Sequence, residues 1–196
     1  DLPRINHSLC VSAEVLLGLG RTMRDQQNVH HSVGGTHAAV LFDTSGRAII
    51  LAEDIGRHNA IDKAVGYCLL RGLSMQDKVL LTSGRASYEM ATKAVRVGIP
   101  IIASISAPTS LAVQLAEDRG LTLIGYLRGG RMDVYTHPER ITNAIYRAAV
   151  AVGALAGQGV GLRALRIAVH HHIATPLVQD PNRCGADARG GRTVRA

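Results

Sequence analysis

The sequence predicts an α/β protein with three layers, a mixed sheet carrying helices on both faces. Three observations predict it. Short aliphatic runs, each closed by a polar loop and followed by a helical pattern, recur through the middle of the chain. An apparent hairpin precedes them. Aromatic residues make up only 3% of the 196 residues and Trp is absent, so the core must be aliphatic, as in parallel α/β packing.

The elements follow in order. Ser12 suits a helix cap, and Val15, Leu16, Leu19 and Met23 recur at helical spacing, so a helix is expected from Ser12 to Asn28. A polar stretch, Gln26 to Ser32, follows. Thr36 to Phe42 and Ala48 to Ala52 read as two strands joined by the turn Asp43-Thr44-Ser45-Gly46. His58 to Leu70 reads as a helix ended by Gly72. Lys78 to Thr82 is a buried strand, and Ser83-Gly84-Arg85 opens a helix over Ala86 to Val97. Ile101 to Ser104 is the next buried strand. A helix runs from Pro108 to about Glu117, and Gly120 stops it. Leu121 to Tyr126 is a strand, Arg128 to Arg131 a loop, and Met132 to Tyr135 a short edge strand. Asn143 to Ala156 reads as an Ala-rich helix. Beyond Gly157 the chain is rich in Gly, Arg and His and is expected to be disordered. The division expected is a domain over residues 1–141 and an extension over 142–196.

The net charge of +7 is uneven. Six arginines against two aspartates from Gly161 onward supply more than half of it, so the basic balance is weak support for nucleic-acid binding, and none is expected. With no signal peptide pattern and no apolar run of transmembrane length, a cytoplasmic protein away from membranes is expected. Cys10, Cys68 and Cys184 stand in no CxxC or metal-type spacing.

Five loops could carry chemistry. Gly34 and Gly35 let a backbone approach a ligand closely, with His37 just behind, although a plain glycine turn reads the same. Glu53 to Lys63 crowds Asp54, Arg57, His58 and Asn59 around a strand end and a helix start. Asp54 alone would pass for a cap; the crowd beside it looks like a site. Ser83-Gly84-Arg85 joins a buried strand to a helix, where amides attract phosphate and Arg85 can fork onto it. Ser106-Ala107-Pro108-Thr109 repeats that arrangement. Tyr126-Leu127-Arg128-Gly129-Gly130-Arg131 sets two arginines around two glycines, which suits a pyrophosphate or a basic hairpin turn equally. Strand ends in open α/β sheets gather ligands, so one shared crevice is expected. His170-His171-His172 has no fourth ligand at useful spacing and is not read as a metal site.

Six motifs in order, GGTHAA, EDIGRHNAIDK, SGRASYEM, SAPTSLAV, LTLIGYLRGGR and VYTHPERI, closely resemble the FdhD/NarQ family of formate dehydrogenase accessory sulfurtransferases. The resemblance implies a cytidine-deaminase-like fold. Deaminase chemistry is not implied, because His37-Ala38-Ala39 has Ala where the acid/base Glu would stand and Ser83 to Ser87 lacks the cysteine pair; no zinc is expected. It implies instead a carrier that takes sulfur from a cysteine desulfurase and passes it to the molybdenum cofactor (Mo-bis-MGD) for formate dehydrogenase, with a homodimer as the working form and GDP as a surrogate ligand. The cofactor-binding stretch of the family falls on Tyr126 to Arg131. The family's persulfide Cys-x-x-Cys, upstream of GGTHAA, has no counterpart here, so no catalytic residue is assigned. The chain reads as the later part of such a protein, either a sulfurtransferase lacking its carrier loop or a module that only holds the cofactor. Whether it is an enzyme is left open, and a nucleotide hydrolase using His37 or His58 is a third reading with no nucleophile to name.

Overall fold

The computed structural model describes residues 1–6 and 8–144 and the backbone of two further strands, 146–152 and 162–168. The elements are β1 (Val11–Ser12), α1 (Ala13–Gln26), α2 (Asn28–Val33), β2 (His37–Phe42), β3 (Ala48–Asp54), α3 (Arg57–Leu70), β4 (Val79–Thr82), α4 (Tyr88–Arg96), β5 (Ile101–Ser104), α5 (Ser110–Arg119), β6 (Thr122–Arg128), β7 (Arg131–Thr136), β8 (Ile141–Thr142), β9 (Tyr146–Val152) and β10 (Leu162–Ala168).

Successive side chains of a strand face opposite ways, and here both faces are apolar. Ala39 and Leu41 of β2, Leu80 of β4 and Ile102 of β5 face one core; Ala38, Val40, Phe42, Leu81 and Ala103 face the other. The first core is closed by α3, α4 and α5 through small and aliphatic residues such as Ala60, Ile61, Ala64, Met90, Ala94 and Ala112. The second is closed by α1 through Leu16, Leu19 and Met23. The three layers are therefore present, with three helices on one face and one on the other. Ser12 caps α1 as expected, its hydroxyl accepting from the Val15 amide at 3.2 Å.

The sheet order is β3-β2-β4-β5-β6-β7-β10-β9. Strands β4, β5 and β6 are parallel, while β2 runs antiparallel to β4 and β7 antiparallel to β6. The initial hairpin is thus built into the sheet, and its first strand lies inside it. Asp43 fixes the hairpin turn by accepting from the amides of Ser45 and Arg47, both at 3.0 Å.

The structure corrects several expectations. The polar stretch after α1 contains a second helix, α2, which buries none of its residues. Strand β7 is not an edge, because β10 pairs with it antiparallel, Leu165 opposite Val134 and Ala168 opposite Arg131. The segment read as an Ala-rich helix, Asn143 to Ala156, contains the strand β9, and part of the region expected to be disordered is the strand β10. Alanine's helix preference is weak beside a neighbouring strand that offers a full ladder of backbone partners. The expectation for residues 169–196, His170 to His172 included, lies outside the described residues. Two small strands, β1 and β8, pair parallel and had no sequence signal.

Candidate functional site

One end of the sheet collects the motifs. The carboxyl ends of β3, β4, β5 and β6 point there, and so do the amino ends of the antiparallel β2 and β7. His37 therefore reaches this end at the start of its strand, directly across from Asp54 in the β2–β3 ladder. From β3 to β6 is four strand spacings, a width of about 19 Å.

The loops along this rim are tied to one another. The Ser104 hydroxyl lies 2.6 Å from the Gly84 carbonyl and accepts from the Ser106 amide at 3.0 Å. The Thr109 amide donates to the Ala86 carbonyl at 3.0 Å, and Ala86 bridges Pro108 in a strand-like contact. The Tyr126 amide donates to the Ser106 carbonyl at 3.1 Å. Thr109 also caps α5, its hydroxyl accepting from the Ala112 amide. Gly125 is needed at this junction: a Cβ there would sit 2.8 Å from Pro108 Cδ and 2.9 Å from the Tyr135 ring. Just beyond it Tyr126 adopts a left-handed backbone, φ 51°, where β6 loses register with β7. Such a bulge re-aims a side chain and recurs beside functional sites. The Arg128 guanidinium lies 5.7 Å above the Tyr126 ring, and Leu127 is buried in the second core. Gly129 and Gly130, both at positive φ, make the turn to Arg131.

On the other side of the rim, Ser83 and Ala38 exchange two bonds. The Ala38 amide donates to the Ser83 hydroxyl and the Ser83 amide to the Ala38 carbonyl, each at 2.9 Å. His37 Nδ1 lies 3.4 Å from the same hydroxyl, and His58 Nε2 lies 3.4 Å from the hydroxyl of Ser87. Gly34 and Gly35, at φ 68° and 67°, carry the chain from α2 into β2 with open space where side chains would be.

The acidic residues here are occupied in building the rim. Asp54 accepts from the Gly56 amide at 2.9 Å and from Asn59 at 3.1 Å, and pairs with Lys63. The Lys63 bond first, then those of Gly56 and Asn59, holds its carboxyl down at about 2. Glu53 accepts from the amides of Val29 and His30, each at 2.8 Å, and from Thr36 at 3.1 Å, tethering the start of α2. Burial pushes the Glu53 carboxyl up, but the two amides and the hydroxyl outweigh it and the net shift is downward. Arg57, Arg85, Arg128 and Arg131, by contrast, form no ion pair among the described residues. The rim thus offers uncompensated guanidinium groups at both ends, an arrangement suited to an extended polyanion.

Sequence reasoning gathered these residues correctly into one region. It missed the tethering by Glu53, the Lys63 pairing and the close packing of Gly84 and Gly125, because each depends on a neighbour far along the chain.

The family model for FdhD/NarQ matches residues 2–142, which carry every loop of this rim. The chain belongs to the FdhD/NarQ family. Among FdhD/NarQ proteins, the sulfur carrier protein FdhD of Thermoplasma acidophilum is 50% identical over 131 residues, covering 67% of this chain and 46% of the relative. That of Streptomyces avermitilis is 51% identical over 141 residues, covering 71% and 49%. A crystal structure described as a formate dehydrogenase accessory protein from Desulfotalea psychrophila superposes with a TM-score of 0.64 at 34% identity, covering 71% of this chain and 61% of that one. The chain spans about half the length of the curated FdhD/NarQ relatives it matches. Strands β9 and β10 lie beyond the FdhD/NarQ match.

Proposed function

We propose that these residues are the cofactor-holding part of a sulfur carrier, which receives sulfur from a cysteine desulfurase and delivers it to the molybdenum cofactor, Mo-bis-MGD, for formate dehydrogenase. The observation that carries this reading is the convergence of all five loops on one rim with four unpaired arginines. The client is a long anion bearing guanine dinucleotides, and the rim is long, cationic and rich in backbone donors. In this reading Arg128 and Arg131 take a pyrophosphate from either side of the Gly129-Gly130 turn, where no Cβ obstructs approach to the backbone. Arg85 and the amides that open α4 lie further along the same rim.

A holding role, without relay of sulfur by these residues, is favoured by the state of Cys68. Its side chain is fully buried on α3, and burial pushes its thiol above the ordinary range. A persulfide carrier needs exposure and a lowered pKa, so Cys68 does not suit that task.

GDP titrated calorimetrically into the folded chain tests the reading. Saturable binding is expected, weakened about tenfold or more by Arg131→Ala, as the loss of a charge-assisted contact requires. A folded sample that does not bind GDP would overturn it.

A further inference from the structure

At the β2–β4 side of the rim lies an arrangement that the guanine-nucleotide reading does not use. Arg57 Nε is buried and has no hydrogen-bond partner. A buried charged donor left in this state costs about 1–3 kcal/mol or more and calls for an acceptor. The same guanidinium side chain packs over Gly84. A Cβ on Gly84 would sit 3.1 Å from Arg57 Cδ and 3.5 Å from His37 Nδ1, so both residues border the notch left by the missing side chain. The Ser83 hydroxyl is 3.4 Å from that same His37 nitrogen. His58 follows Arg57 on α3 and faces Ser87 at the opening of α4. Four elements thus bring an arginine, two histidines and two serines to one place. The acidic groups nearest to it are accounted for: Asp54 is paired with Lys63, and Glu89 is fully exposed and held below its ordinary value chiefly by a bond from Ser87.

We propose that Arg57, His37, Ser83 and the Gly84 notch form a second anion subsite, for a compact oxyanion and separate from the guanine-nucleotide loop. The subsite rests on the reading of the rim as a cofactor-holding surface and deepens it. Strands β2 and β6 stand three spacings apart, about 14 Å, so a group seated at Arg57 is remote from one seated between Arg128 and Arg131. A client held at its nucleotide end by the glycine turn therefore presents a different part of itself here. Two parts share the required chemistry, the metal-oxo end and a second phosphate group.

The test uses the full chain saturated with GDP. Molybdate and inorganic phosphate are titrated in turn, with His37 and His58 ring resonances followed by NMR. Binding without displacement of GDP, accompanied by shifts of the His37 resonance, is the expected result. Tighter binding of molybdate assigns the subsite to the metal-oxo end; tighter binding of phosphate assigns it to a phosphate group. Arg57→Ala should weaken the anion about tenfold or more, and by a larger factor than it weakens GDP. Arg57→Lys keeps the charge but lacks the Nε donor and should fall between. Gly84→Ala, which fills the notch without altering charge, should weaken the anion too. Displacement of GDP by either anion, or equal loss of GDP and anion in Arg57→Ala, would overturn the subsite. Failure of GDP itself to bind would instead count against the proposed function, so the two failures are distinct.

Discussion

Asp54 illustrates how a side chain placed by sequence in a candidate site can spend itself on the scaffold. Its carboxylate anchors the turn into α3 through Gly56, Asn59 and Lys63, and these bonds hold its pKa at about 2 against an ordinary 3.8. A depressed carboxyl pKa stabilises the folded state above the unfolded value, and that contribution is lost as pH falls through the folded value. The expected outcome is that Asp54→Asn lowers stability at neutral pH and flattens the acid-unfolding curve between about pH 4 and 2 relative to the parent chain. Urea midpoints measured across that range check it; an unchanged slope would show that Asp54 contributes nothing to the acid limb. At this scale the sequence was partly legible. The crowding of Arg57, His58 and Asn59 beside Asp54 announced a built structure. It did not show which groups remain available, because Lys63 returns one helical turn later and Gly84 meets Arg57 only through the packing of α3 on the sheet.

Among the elements, those read best were the ones whose signals are local. The turn at Asp43, the Ser12 cap and the buried strands β4 and β5 each carry their cause within a few residues. Helix α2 has no apolar periodicity because it buries nothing, and its start is fixed by Glu53 from the neighbouring hairpin. Strand β9 looks helical by composition and is extended because β10 pairs with it. The β6 bulge was invisible too, since Gly125 is required by Pro108 and Tyr135 rather than by its own neighbours. Gly125→Ala is therefore expected to destabilise the protein by about 1–3 kcal/mol, the range for overpacking a filled site. It should also weaken GDP binding, because the Tyr126 to Arg131 loop must shift to admit the methyl. Chemical denaturation beside calorimetry checks both. A stable variant with parent-like affinity would show that the junction tolerates slack.

For the whole molecule, the fold class and the shared crevice followed from the sequence, while the strand order did not. Its decisive feature, the antiparallel β2 between β3 and β4, leaves no mark on hydrophobic pattern. The far edge of the sheet is covered by β10 and β9, encoded beyond the residues that match the family. Removing them would bare the backbone of β7, and an unpaired strand edge seeks another chain. A chain ending at Ala144 is expected to keep its GDP affinity but to self-associate more readily, as read by light scattering over a concentration series. A monodisperse truncated chain would show that β7 is protected by other means.

The loops of the rim are stitched together before any ligand arrives. Ser104 joins the Gly84 and Ser106 turns, Ala86 bridges Pro108, and Ser106 receives the Tyr126 amide. A client therefore docks on a finished floor. The ordering entropy of association falls on the arginine side chains alone, at about 1.5–2 kcal/mol for each one immobilised. Selectivity then resides in how many guanidinium groups a client can engage at once: a short anion that reaches one of them gains little, and a long one that engages both ends of the rim recovers the cost several times over.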